Sequence, residues 1–508
     1  MANNVQKPSM YFTSLKIKNV KSFGEEQELS LLNEDGSVAR WTLILGDNGI
    51  GKTTLLKCLA WMVPVPAPPR FEYIEQLKIA KILLKDNYYD VEKIAHITGI
   101  SEEDVKNTGE QPKKIKPLMD DLSFDVEFYN KILRSGENIK TSLSASFSNN
   151  CDLDKTPSEV LTISINFARE KGKLEVIEPH TAIVSEFNTP NLFAYSASRH
   201  LARKNFENKE LSDPTFNLLS DLGELYDPEQ VLAYLDYASI KEQLENQAIE
   251  IEEEKKYSST KLLATLKKLV ADLLPDIKNA DSIIINPPIN AVGEKNEKIV
   301  EIQTTHGLVP LFNISLGYQT MLSWAVDLAI RMLWLNPESP NPLKEPAVVI
   351  IDEIDLHLHP VWQRPLKSCL IEHFTQTQFI CTAHSPFMAQ SSETDNICVV
   401  YKSGTKVLID SNPEIVKGWR IGQIATSELF GVPSDRSPEI EKEINDRRDI
   451  LDKDELTQAD ESKLLKLNTA LANIPIIDNT EDQEIINQIR KAAELLKEKG
   501  AINDSDNK

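Results

Sequence analysis

The octapeptide Gly46–Thr53, GDNGIGKT, constrains this chain more than any other stretch, because it fits G-x-x-x-x-G-K-[ST] without a mismatch. Its flanks agree with it. Trp41–Leu45 (WTLIL) reads as a buried strand entering the loop, and Thr54–Met62 (TLLKCLAWM) as a helix leaving it. Strand, glycine-rich loop and helix in that order call for an α/β core. In such a turn the backbone N–H groups of Gly46, Asn48, Gly49 and Gly51 wrap β- and γ-phosphates. Lys52 adds a point charge and Thr53 a hydroxyl for Mg²⁺. Thr54 stands beside them at the helix N-terminus, whose positive end faces the anion. The expected ligand is ATP with Mg²⁺.

A second stretch, Ala347–Pro360 (AVVIIDEIDLHLHP), supplies what the first lacks. Val348–Ile351 are apolar and β-rich and read as a buried strand. Asp352 and Glu353 follow where the strand should end, at the sheet edge where ligands of open α/β folds sit. There Asp352 would hold the metal's water shell and Glu353 would polarise an attacking water. Two further pieces fit around them. Asn313–Gln319 (NISLGYQ) precedes an apolar helix over Thr320–Trp334, with Ser315 at its N-cap and Gly317 leaving room for close backbone approach. Those residues alone also suit an ordinary capped helix; their place, roughly thirty residues before the acidic strand, makes them informative. Gln378–Thr382 (QFICT) is another buried strand, ending in Ala383-His384-Ser385-Pro386. His384 there would reach a γ-phosphate or the attacking water; a satisfied core histidine is the alternative.

Composition sets the partners. The formal charge of −22 makes the average surface repel nucleic acid, membranes and other polyanions, so DNA contact would need a local basic patch. The five cysteines form no CxxC, and Cys58, Cys369, Cys381 and Cys398 lie in apolar contexts that suit buried thiols. No apolar run approaches a membrane span and the N-terminus lacks a signal-peptide core, so a cytoplasmic protein with no membrane partner is expected. At 508 residues, two to four lobes are expected.

Taken in order, Tyr11–Val20 alternates as a strand, and Gln27–Leu32 returns antiparallel to it. The helix after the phosphate loop is stopped by Pro64, Pro66, Pro68 and Pro69. Residues 71–120 are helical in pattern. Ala95, Gly99 and Val105 match helix-turn-helix spacing, but the second helix would turn Glu102, Glu103 and Asp104 toward DNA phosphates, so a structural αα-corner is expected. Leu122–Tyr129, Leu143–Phe147, Leu161–Ala168 and Lys173–Ile177 read as a meander, and Asn191–Arg199 as one more strand. Residues 200–227 are loop-rich. Between Glu229 and Leu274 the period turns helical, giving a hairpin about a charged turn at Glu252–Lys256. Ser282–Ile289 and Lys298–Thr304 return as strands, Trp362–Phe374 as a helix, and Ile397–Tyr401 with Lys406–Asp410 as a closing hairpin.

GDNGIGKT, S-x-G-x-Q, VVIIDE and TAHSP in this order resemble the ABC-type ATPases of the SMC/RecF class, and DEIDLHLHP is similar to the RecF-like and OLD-type ATPases of bacterial defence systems. The resemblance spans roughly residues 11–410 without the helical insert. It implies an α/β fold: an ABC-type ATPase head, with a mixed sheet, an antiparallel meander and a P-loop core, plus a helical-hairpin insertion and a helical C-terminal extension. The expected domains are 1–200 (lobe I), 201–280 (insertion), 281–411 (lobe II) and 412–508 (a docking or oligomerisation extension). By resemblance Lys52 and Thr53 bind phosphate and Mg²⁺, Asp352 is a metal ligand, Glu353 the general base, Asp355 the D-loop aspartate and His384 the switch histidine. Lys21 falls where this class often carries a basic phosphate contact. Ser315, Gly317 and Gln319 act in trans in the family, which implies a head-to-tail dimer with ATP at its interface. No Q-loop glutamine is identifiable. His357 and His359 pack around the D-loop in this reading and do not form a metal site.

In the extension, Asp452-Lys453-Asp454 has polar, helical flanks where a TOPRIM nuclease needs a buried strand, and no histidine follows His384, as an HNH nuclease would require. Leu464, Leu467, Leu471 and Ile474, and the run 485–496, read as amphipathic helices. The closest family resemblance is to the PtuA ATPases of Septu-type and retron-associated anti-phage systems, with the ATPase of the PARIS system a near neighbour. It implies an ATPase that forms a homodimer or higher oligomer and controls a separate HNH nuclease subunit, with nucleic acid or a retron RNA/DNA element as a further partner. The alternative is a RecF/SMC-type repair ATPase acting directly on DNA.

Overall fold

A computed structural model describes residues 10–66, 90–98, 113–117, 139–148, 160–170, 173–180, 182–184, 191–201, 215–219, 224–248, 258–274, 277–287, 299–337, 339–392, 395–411, 418–432, 434–453 and 456–471, with a few isolated positions between them. Its organising element is a six-stranded sheet ordered Leu192–Tyr195, Ala347–Ile351, Thr377–Thr382, Trp41–Gly46, Asn396–Ser403, Lys406–Asp410. The first five strands run parallel, and the last closes an antiparallel hairpin. Strands buried on both faces are largely apolar, and Leu192–Tyr195 and Ala347–Ile351 are buried along their whole length. Their side chains alternate between two cores with the strand period of two. Trp41, Leu43, Leu45, Val349, Ile351 and Phe379 go to one core, whereas Ile44, Val348, Ile350 and Ile380 go to the other.

The second core lies between this sheet, the helix Lys52–Trp61 and a five-stranded antiparallel sheet. That sheet is ordered Gln27–Ser30, Tyr11–Lys18, Lys140–Ser148, Val160–Glu170, Lys173–His180. A buried amide joins the sheets: Gln378 Oε1 accepts from the Phe12 N–H at 2.9 Å, and its Nε2 donates to the Phe12 carbonyl at 2.8 Å. Antiparallel meander and parallel core therefore coexist, the mixed sheet arrangement expected of the sequence.

The first core is covered by helices. Leu316–Leu335 is buried without a break from Met321 to Leu333, and Pro228–Ala248 and Ser259–Leu273 pack against it through Val231, Leu232, Leu235, Leu266 and Leu269. These two helices are the expected hairpin, and they form part of the core that supports the sheet. Inside Leu316–Leu335, Asp327 Oδ2 accepts from Arg331 Nε at 2.7 Å and from the Tyr195 hydroxyl at 3.0 Å, while Oδ1 accepts the Tyr226 N–H. Four polar groups thus satisfy one another in an apolar interior, where an unpaired charge would be strongly destabilising.

Residues 71–120, read as helical, hold the helix Val91–Thr98 but also a strand, Lys113–Pro117, which pairs with Pro64–Pro66 and Ala182–Val184. Strand pairing here overrides a helical local pattern. The second half of the helix-turn-helix pattern, the turn Glu252–Lys256, the strand over 122–129 and the run 485–496 lie outside the described residues. The chain divides into two compact units, Met1–Gly431 and Val432–Lys508. In the second, Pro438–Leu451 and Gln458–Leu471 pack as a helical pair, joined by Arg447 Nε donating to Asn468 Oδ1 at 2.7 Å. No helix among the described residues is long and apolar enough to cross a membrane.

Candidate functional site

The carboxyl ends of three adjacent parallel strands converge on one cavity of about 320 Å³. It is lined by Lys21, Ser22, Asn48, Gly49, Gly51, Lys52, Thr53, Thr54, Asp352, Glu353 and His384. Stretches separated by hundreds of residues meet here because strand order places Thr377–Thr382 between Trp41–Gly46 and Ala347–Ile351.

The loop glycines are dictated by their surroundings. Gly46 has φ +143°, and a Cβ there would lie 2.2 Å from the Val400 carbonyl oxygen of the neighbouring strand. Gly51 has φ +124°, and its Cβ would fall 2.8 Å from the Phe23 ring. The turn Val20–Phe23 therefore closes over the phosphate loop, and the Ser22 hydroxyl donates to the Ile50 carbonyl at 3.0 Å. This closure carries Lys21 to the cavity wall. Lys52 is 5% exposed, and its ammonium donates to the Gly46 and Asp47 carbonyls at 2.7 and 2.9 Å. Burial lowers its pKa, against the pull of Asp352, Glu353, Asp47 and Asp355.

The acidic pair is held from both sides. The Thr53 hydroxyl donates to Asp352 Oδ2 at 2.7 Å, and the Thr382 hydroxyl donates to Asp352 Oδ1 at 2.6 Å. Thr382 Oγ1 also accepts the Glu353 N–H at 2.7 Å. Glu353 itself is left-handed, with φ +49°. Beyond it Asp355 Oδ2 accepts the His384 N–H at 3.0 Å, tying the loop after Glu353 to the turn that carries the histidine. Burial, then the nearby Lys52 charge, lowers the His384 pKa, while Asp355, Glu353 and Asp352 oppose the shift. His359 accepts the Val361 N–H as the N-cap of Pro360–His373. No group of three or more His, Cys, Asp or Glu able to hold a metal occurs among the described residues.

Ser315, Gly317 and Gln319 are not among the residues lining the cavity. Ser315 is the N-cap of Leu316–Leu335 but makes no capping hydrogen bond with its side chain. Gln319 Nε2 turns back on the Phe312 and Ile314 carbonyls at 2.7 and 2.8 Å. A Cβ on Gly317 would sit 2.1 Å from the His357 carbonyl oxygen, so this glycine lets the helix start lie against the loop at His357 of its own chain.

The residues fit a nucleoside triphosphate with Mg²⁺. A side chain would fill the loop at Gly46 or Gly51, a buried ammonium is turned onto loop carbonyls, and a hydroxyl–carboxylate pair stands at the loop's end. Mg²⁺ typically takes one or two protein ligands and completes its shell with phosphate and water, which Thr53 and Asp352 would suit. Sequence reasoning missed Ser22, Thr382 and Arg199. Ser22 and Thr382 adjoin residues already singled out. The strand read over Asn191–Arg199 ends at Tyr195, and Arg199 lies in the turn beyond it, where nothing in its own stretch says what it touches.

A family model described as AAA ATPase domain matches residues 10–389. The retron Ec83 probable ATPase of Escherichia coli is 33% identical over 181 residues, 36% of this chain and 30% of that protein. The Septu protein PtuA of Bacillus mycoides (strain KBAB4) is 31% identical over 144 residues, 28% of this chain and 19% of that protein. The matched stretches thus span less than a third of those relatives' length. The SMC head domain from Thermotoga maritima aligns with 79% of this chain and 99% of its own, at 13% identity and a TM-score of 0.36, too loose an overlap to carry an argument.

Proposed function

Because the chain belongs to the AAA ATPase domain family, we propose that it binds and hydrolyses ATP as the sensor and scaffold subunit of an anti-phage defence complex, oligomerising through its ATPase heads and controlling a separate nuclease. The hydrolytic half rests on one observation above all. Thr53 and Thr382 grip the two oxygens of Asp352, and Glu353 follows it directly on the wall of the same cavity. The defence half rests on similarity to proteins named as retron and Septu components.

Bound ATP with Mg²⁺ supplies the scissile phosphoanhydride and a Lewis acid. Lys52 leaves the Gly46 and Asp47 carbonyls to meet phosphate oxygens, and the loop amides donate to the same anion. Thr53 Oγ1 and Asp352 Oδ2, hydrogen-bonded to each other at 2.7 Å, are the groups that would hold the metal. Glu353, on the wall of the cavity, accepts a proton from the attacking water at a carboxylate oxygen. His384, kept neutral by burial, stands on the same wall, able to donate one hydrogen bond. Ser315, Gly317 and Gln319 would complete a partner protomer's site, consistent with their absence from the cavity of their own chain.

Nucleotide affinity and hydrolysis, measured separately, test the reading. Lys52→Ala should weaken ATP binding about tenfold or more. Glu353→Gln should bind ATP normally while hydrolysing it about 10²–10⁴-fold more slowly, trapping an ATP-bound dimer. Normal turnover by Glu353→Gln would remove Glu353 from the role of base.

A further inference from the structure

The strand Leu192–Tyr195 runs parallel to Ala347–Ile351, with Tyr195 opposite Ile351, and the Asp352 N–H donates to the Tyr195 carbonyl at 2.8 Å. Past Tyr195 the chain turns, and Arg199 folds back over that junction. Its Nε donates to the Ser196 carbonyl at 3.2 Å, and its Nη2 donates to the carbonyls of Asp352 at 2.7 Å and Glu353 at 2.9 Å. The turn is itself braced, since Asn217 Oδ1 accepts the Ser196 N–H at 2.8 Å and the Ser196 hydroxyl donates to the Ser198 carbonyl at 2.9 Å.

Successive carbonyls in an extended strand point in opposite directions. Here two neighbouring carbonyls converge on one nitrogen, and Glu353, the second of them, is left-handed. A non-glycine residue held in that region is strained and persists only where its surroundings over-determine it. Thr382 fixes the Glu353 N–H on one side, which leaves the carbonyl side to be held. Charge-assisted hydrogen bonds from a planar guanidinium suit that task, being short and directional.

We propose that Arg199 is a positioning residue for ATP hydrolysis: it clamps the Asp352 and Glu353 carbonyls, holds Glu353 left-handed and so aims its carboxylate into the nucleotide cavity. The inference rests on the ATPase reading above and adds to it a group from the turn after the sheet's edge strand, outside every nucleotide motif. Burial pulls the Arg199 pKa down to about 10, so the guanidinium remains charged at neutral pH and the clamp is intact there.

Such a residue acts only through Glu353, and this separates it from a merely structural one. Single-turnover hydrolysis and ATP affinity would be measured for wild type, Arg199→Ala, Arg199→Lys, Glu353→Gln and the Arg199→Ala/Glu353→Gln double variant. Arg199→Ala should hydrolyse at least about tenfold more slowly with ATP affinity within about threefold of wild type. Arg199→Lys, which keeps charge and bulk, should recover part of the rate. In the Glu353→Gln background the second substitution should cost nothing further. Amide exchange at Glu353 and Ile354 should quicken in Arg199→Ala while Val348–Ile351 stays protected. Wild-type turnover by Arg199→Ala, an undiminished effect in the double variant, or loss of ATP affinity in step with rate would overturn the clamp. A wild-type protein that binds but never hydrolyses ATP would sink the ATPase reading instead, and exchange at Glu353 would still decide the clamp.

Discussion

At the scale of single residues, the site divides by how far each side chain's partner lies along the chain. Gly46, Gly51 and Lys52 are legible because the phosphate loop is a contiguous device whose spacing is itself the chemistry. Thr382 and Arg199 are not, because each acts on the Asp352–Glu353 turn from 29–30 and 153–154 residues away, partly through backbone atoms that no side-chain pattern records. His384 shows how the environment finishes what position begins. Its strand-end location was readable, whereas its depressed pKa follows from burial and the approach of Lys52. A depressed imidazole stays neutral down past its ordinary value near 6.5, so kcat/KM should hold level as pH falls from 8 to about 6.5 and decline only below that. His384→Gln should lower the plateau and remove the acid limb. A wild-type decline already complete at pH 7 would mean the imidazole is not held neutral, and would count against its place in the mechanism.

At the scale of elements, strands of the parallel core were the most legible, since burial on both faces leaves an uninterrupted apolar run. The helix Leu316–Leu335 was found, and room for close backbone approach was expected at Gly317; what approaches there, the His357 carbonyl, belongs to a loop forty residues on that helical periodicity cannot encode. The strand Lys113–Pro117 was hidden for a related reason, because its partners at Pro64–Pro66 and Ala182–Val184 lie far along the chain. The helix Pro228–Ala248 begins with a further tension. Glu229 stands beside Asp227, whose Oδ1 accepts the Glu229 N–H at 2.9 Å, and burial, then the Asp227 charge, raises its pKa to about 7. A carboxyl whose folded pKa exceeds its unfolded value favours folding fully below about 4.5, and that contribution disappears as pH rises through 7. Glu229→Gln keeps the shape of the side chain and carries no charge. Its melting temperature should therefore match wild type near pH 4 and exceed it at pH 8, by the equivalent of about 1–2 kcal/mol after allowance for partial exposure. An equal difference at both pH values would mean that the Glu229 charge is not the cause.

At the scale of the whole molecule, charge and site point in different directions, and the proposed function depends on how they are reconciled. A formal charge of −22 opposes direct binding to a polyanion, yet the cavity is furnished for a highly charged anion. The loop amides, the helix N-terminus, Lys21 and Lys52 resolve this locally for a nucleotide, which needs only a few positive groups at short range. A nucleic-acid backbone needs an extended basic track, and acidic surroundings act against one over a Debye length of about 8 Å. Control of nucleic acid through a second protein is consistent with both constraints, and it predicts a definite particle. The complex isolated with its native neighbours should exceed a dimer by light scattering, and subunit identification should return a small nuclease alongside this chain. It should also survive salt that strips DNA from a phosphate-contacting protein, for which affinity falls steeply between 50 and 200 mM salt. A lone dimer that binds DNA only with ATP, and loses it with a steep salt slope, would replace the sensor and scaffold with an ATPase working directly on DNA. The cavity chemistry would be untouched by that outcome, because the roles proposed for Lys52, Asp352 and Glu353 do not depend on which partner the cycle drives.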